Sequence, residues 1–222
     1  MRALIASSAL AILLLGPLAV AGVGWAEGVR PTVVDVPSRP AFVQPPGSGE
    51  RPARVGESLV ERSLVGTRTP GRLQVRLADG RSLRLGGDAV LRLQGGDLRL
   101  ERGRLIAWIR PGASRRQPLR IRTRSATASI LGTTVFLEVS PEQERIFSWE
   151  GNVAVRTAEG REWVLAGGQQ LLCVRGRCGE PQPMPAAEKQ QRRRSSDLLN
   201  GFTAPMDTLP LIDRALGLQS PP

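Results

Sequence analysis

Two cysteines, and the residue types that are missing, define the chemistry open to this chain. Cys173 and Cys178 enclose Val174-Arg175-Gly176-Arg177, and the 222 residues include no His and no Tyr. Without His, neither a Ser-His-Asp nor a Cys-His catalytic pair can be assembled. No His-ligated zinc, haem or copper site can form either. Two thiolates are too few for a four-cysteine zinc or iron–sulfur site. A redox CxxC pair needs two intervening residues, and here there are four. The spacing predicts a disulfide that staples a tight hairpin around Arg175-Gly176, in a compartment that permits one; two free thiols are the alternative.

The carboxylates offer little more. Glu142 and Glu144 flank Gln143 in the loop 140–144, and the simple reading of that pair is a solvated loop. Glu159 and Glu162 flank Gly160-Arg161, as at an exposed hairpin tip. No glycine-rich segment leads into a helix, so no phosphate-cradling loop is predicted. The chain reads as a non-enzyme that needs no cofactor.

The basic residues are the remaining candidates. There are 31 Lys+Arg against 20 Asp+Glu, a net charge of +11, and Lys189 is the single lysine. Aromatics make up only 4%, too few for the stacking platforms of a nucleic-acid binder, and the arginines are spread along the chain. No nucleic-acid partner is expected. One arginine set does repeat: Val75-Arg76-Leu77, Leu83-Arg84-Leu85, Leu91-Arg92-Leu93 and Leu98-Arg99-Leu100. In a strand, each triplet sends its apolar pair to one face and its Arg to the other. If the strands are adjacent, Arg76, Arg84, Arg92 and Arg99 form a row that is wet or partnered. A wet row serves solubility and edge protection. A partnered row would grip carboxylate or phosphate groups of a polyanion such as peptidoglycan or lipopolysaccharide.

These residues must be carried by strands. Between about 55 and 180 the hydrophobic period is two, and turn signals such as Asp79-Gly80, Gly86-Gly87-Asp88, Gly95-Gly96-Asp97 and Arg102-Gly103 recur at strand spacing. Longer strands continue the pattern at 105–109, 119–123, 126–139, 146–149, 153–157, 163–165 and 171–174, with clean alternation in 119–123. The prediction is an all-β domain, solenoid-like or a sandwich, over 55–180. The flanks read differently. Arg2, an apolar run from Leu4 to Ala21 and small residues ending at Ala26 have the order of a secretory signal peptide over 1–26, an uncleaved anchor being the alternative. Six prolines make 27–54 an extended linker, and 181–222, with Arg192-Arg193-Arg194, reads as a mostly disordered, solvated tail.

Three ordered segments carry a family resemblance. They are Ala126 to Phe136, which includes Gly132 and Thr133; Phe147 to Val155, which includes Glu150, Gly151 and Val153; and Val164 to Gln169, which includes Leu165, Ala166 and Gly167. The stretch from Arg122 to Val174 resembles the FecR domain family. The resemblance implies a compact β domain beyond the inner membrane. Its best-known members relay a signal from an outer-membrane siderophore transducer to a cytoplasmic sigma factor. Those regulators place a cytoplasmic helical domain before one transmembrane helix. Here the apolar run starts at residue 3, so a stand-alone exported domain in the periplasm or cell envelope is expected. The motif residues read as fold-making: glycines for turns and close approach, and Val153 and Val155 on one face. The expected function is a sensory or protein-interaction module whose partner is an envelope protein, with glycan or polyanion binding as the alternative.

Overall fold

The structure is a computed structural model that describes residues 30–109 and 117–218; the signal segment expected at 1–26 lies outside the described residues. Sixteen strands form one sheet among them. In chain order these are β1 (Thr32–Ser38), β2 (Ala41–Gln44), β3 (Arg51–Pro52), β4 (Leu64–Thr67), β5 (Arg72–Arg76), β6 (Ser82–Gln94), β7 (Asp97–Trp108) and β8 (Leu119–Arg122). They continue as β9 (Ala126–Ile130), β10 (Thr134–Val139), β11 (Gln143–Glu150), β12 (Val153–Thr157), β13 (Glu162–Leu165), β14 (Gln169–Val174), β15 (Arg177–Cys178) and β16 (Gln182–Pro183). Helices α1 (Ala186–Ser195), α2 (Asp197–Asn200) and α3 (Leu209–Ala215) complete the chain. Strands hold 49% of the described residues and helices 12%, so the fold is mostly β, as expected.

The path runs β13-β12-β9-β8-β7-β10-β11-β14-β15, with β4, β5 and β6 joined beyond β7. All pairings are antiparallel except β7 with β8. The main core is aliphatic, with Leu83, Leu85, Leu91, Leu105, Val135, Leu137, Val153 and Leu165 all sealed from solvent.

The Leu-Arg-Leu triplets do not make four short strands. The second and third lie on β6, and the fourth opens β7. The expected turn at Gly86-Gly87-Asp88 is instead a slip in the ladder: Gly86 pairs with Arg104, and pairing resumes at Val90 with Arg102. Across that slip β7 changes the parity that faces the core, from Leu98 and Leu100 to Leu105, Ala107 and Ile109. Gly103 is where it turns, at φ 85° and so close to Ala89 that a Cβ would fall on the Ala89 backbone.

Both flanks depart from expectation. The linker expected over 27–54 is strand from Thr32, with Val33, Ala41, Phe42, Val43 and Ala53 buried. Its prolines sit where strands tolerate them. Pro37 lies near the end of β1, whose strand partner is β5 and whose bridge to Ser58 falls at Thr32, at its other end; Pro40 lies between β1 and β2; Pro52 lies in two-residue β3. The tail expected to be disordered over 181–222 forms α1, α2 and α3 up to Leu218 and packs onto the sheet.

Candidate functional site

Strand alternation gives the sheet a second apolar face. While Leu105, Ala107 and Ile109 point into the core, Ile106 and Trp108 belong to a separate cluster on the other side. On β11, Ile146 joins the core and Phe147 and Trp149 the outer cluster. Register aligns them: Phe136 is paired with Ile106 on one side and Phe147 on the other. Phe147 and Trp149 meet edge to face, with ring centroids 4.9 Å apart. Residues 184–216 strap over this face, burying Met184, Leu198, Leu199, Met206 and Ile212 against it.

Polar pins hold the strap. Arg84 is only 2% exposed. It donates to Gln74 Oε1 at 2.8 Å, Leu198 O at 2.9 Å, Leu199 O at 3.1 Å and Ala204 O at 2.7 Å. Its guanidinium also lies 5.3 Å from the Trp108 ring centroid and 4.4 Å from that of Phe202. Burial lowers its pKa to about 10, which leaves it charged at neutral pH. Asp35 on β1 accepts from the amides of Thr203 at 2.7 Å and Ala204 at 2.8 Å. Arg193 forks onto Asp213 at 2.6 and 3.0 Å, and Thr134 Oγ1 donates to Thr208 Oγ1 at 2.7 Å.

The expected arginine row is therefore not formed. Arg84 is buried because its face is the one the strap covers. Arg92 and Arg99 are paired directly opposite one another, and Arg92 bonds Glu101. Arg76 is exposed at the far end of β5, beside Thr32 and Ser82. Within 192–194, expected to be solvated, Arg192 bonds Glu188 and Arg193 bonds Asp213.

The motif's turn residues come from three turns, β9–β10, β11–β12 and β13–β14, that meet in space. Thr133 donates to Glu150 O, and Thr134 Oγ1 lies 3.0 Å from Glu150 Oε1. Gly151, at φ 70°, brings its backbone against the Thr133 side chain. Gly132 lies in the turn between β9 and β10, and Phe136 is half-buried on the outer face. Val153 and Val155 are buried opposite Ile130 and Ala128, and Leu165 is buried opposite Val153. Gln169 Oε1 accepts from Ala166 N at 2.8 Å, across the turn that holds Gly167.

Glu144, expected in a solvated loop, is 2% exposed and accepts from Thr123 Oγ1 at 2.5 Å, Ser125 N at 3.1 Å and Arg124 Nε at 3.1 Å. Glu142 stays exposed, so the two carboxylates do not converge. Cys173 and Cys178 are opposed across β14 and β15 and form the expected disulfide. No helix among the described residues is long and apolar enough to cross a membrane.

One cleft opens where α1 lies over the sheet. Phe136, Phe147, Trp149 and Met184 make its apolar wall, and Arg104, Arg145 and Arg192 its charged rim. Burial, with Arg192 nearby, lowers the pKa of Arg145. Sequence reading missed this face. Its signal was the unbroken apolar run at 105–109, with Ile146, Phe147 and Trp149 apolar on both parities, which marks strands covered on both sides.

A β domain wrapped by its own C-terminal segment is the class these observations define. Residues 63–154, from just before β4 into β12, match the family model for FecR protein. The match takes in the Leu-Arg-Leu repeat and ends before Leu165 and the strap. Two crystal structures of a candidate anti-sigma factor from Parabacteroides distasonis ATCC 8503 are similar at 18% identity. They cover 58% and 62% of this chain, with TM-scores of 0.48 and 0.49. This chain spans 64% of the length of each, less than two thirds. No curated protein matches the chain.

Proposed function

We propose that this chain is a non-enzymatic regulatory or sensory module of the cell envelope that acts by contacting another protein. The FecR match over 63–154 carries the reading. The placement of the acids supports it: of the pair Glu142 and Glu144, Glu144 is spent on Thr123, Ser125 and Arg124, and Glu142 stays exposed apart from it. The contact surface proposed is β13. Among the described strands it pairs only with β12, and it exposes Val164, which is 63% accessible, beside half-buried Trp163. An open ladder with an apolar side chain suits strand addition by a partner. Export through the segment 1–26 completes the proposal.

A photo-reactive residue at Val164, compared with one at Arg76 in the same cells, tests the contact. One defined cross-linked envelope protein from Val164, absent from Arg76, is expected; equal labelling from both would refute the choice of surface. Mass spectrometry of the cell-envelope form should find an N-terminus at Gly22 or Glu27. An intact Met1 would mean a retained anchor.

A further inference from the structure

We propose that the cleft between the outer sheet face and α1 binds a small organic anion, a carboxylate or phosphate on an aromatic body. The inference goes beyond the protein-contact reading and does not depend on it. Three buried donors there have no acceptor among the described residues: Trp149 Nε1 and Arg145 Nε and Nη1. Trp149 is 3% exposed and lines the cleft. Buried donors left unpaired cost free energy that a ligand acceptor recovers.

The charges point the same way. Arg104, Arg145 and Arg192 converge on the cleft. Glu188 bonds Arg192 at 2.9 Å, and its closest approach to Arg145 Nη1 is 3.8 Å, beyond hydrogen-bond range. Glu138 stands opposite both Arg104 and Arg145 in register, but no ion pair joins it to either among the described residues. Three cations thus face two carboxylates, one of which is already engaged. Guanidinium groups fork onto carboxylate or phosphate, which accounts for the anion. Phe136, Phe147 and Trp149 offer ring faces and edges, which accounts for the aromatic body. Arg104 and Arg145 come from the sheet and Arg192 from α1, so the ligand would tie the strap to the sheet.

Isothermal titration calorimetry on the full-length protein tests this, with benzoate, phenyl phosphate, inorganic phosphate and benzyl alcohol as probes. Both aryl anions should bind at one site, more weakly at high salt. Benzyl alcohol and inorganic phosphate should each bind at least about ten-fold more weakly, since each lacks one half of the recognition. Arg192→Gln and Trp149→Phe should each weaken the aryl anions by roughly ten-fold, the loss of one charge-assisted or buried hydrogen bond. Arg145→Gln should weaken them further; if that variant does not fold, the other two decide. Three results would overturn the proposal: no aryl-anion binding by the folded wild type, binding unchanged in the variants, or inorganic phosphate as tight as phenyl phosphate.

Discussion

Arg84→Met separates a pinned strap from one held by apolar contact alone. The substitution removes four donated hydrogen bonds, to Gln74, Leu198, Leu199 and Ala204, and two ring contacts, to Trp108 and Phe202. At about 1.5 kcal/mol for each buried acceptor stranded, and about 0.5 kcal/mol for each ring contact, the loss is about 7 kcal/mol. Relief works against it. Burial lowers the guanidinium's pKa to about 10, and at about 1.4 kcal/mol per pH unit its removal returns about 3.5 kcal/mol. The net expectation is a destabilisation of about 3.5 kcal/mol. The strap can lift and return its carbonyls to water, so the loss should be local before it is global. Hydrogen exchange should show amides of 198–212 losing protection while β9 and β12 keep theirs. Arg84→Lys should fall between, because an ammonium cannot span the same acceptors. Unchanged protection in the strap, with a denaturation shift below about 1 kcal/mol, would refute the pinning.

Other expectations test the rest of the frame. Glu144→Gln should cost about 1.5–3 kcal/mol in urea denaturation, since the buried carboxylate collects three donors from 123–125. Gly103→Ala should cost about 2–4 kcal/mol, from its left-handed φ and the collision with Ala89. Replacing Cys173 and Cys178 together by Ser should lower stability by about 2 kcal/mol, the chain-entropy value for so short a loop. The Thr69 amide and hydroxyl hold the Asp88 carboxyl below 3.8. Its contribution is therefore full above the ordinary Asp pKa and is lost as pH falls through the lower folded value. Melting curves taken from pH 5 downward should fall less steeply for Asp88→Asn than for wild type.

Sequence alone determined the all-β class, because period-two alternation and glycine turns act locally and leave no helical alternative between 55 and 180. It favoured the disulfide over two free thiols, since the cysteines flank an Arg-Gly turn, and the structure forms the bridge. The family signature was legible for the same reason: Gly151, Thr133 and Glu150 meet where two turns come together between near neighbours in the sheet. Composition misled at the flanks. Prolines suggested a linker over 27–54, yet an edge strand needs only one hydrogen-bonding side, and Val33 with Ala41-Phe42-Val43 supplied the burial. What only the tertiary structure decided is the outer face. Parity put Arg84 on the same side as Ile106, Phe136 and Phe147, but nothing near Arg84 in sequence says whether that side meets water or protein. The answer lies more than a hundred residues away, in carbonyls of a segment whose apolar patches are too short to hold a structure alone. Leu198, Met206 and Ile212 are ordered by the aromatic surface they cover, and that surface exists only once three distant strands are in register.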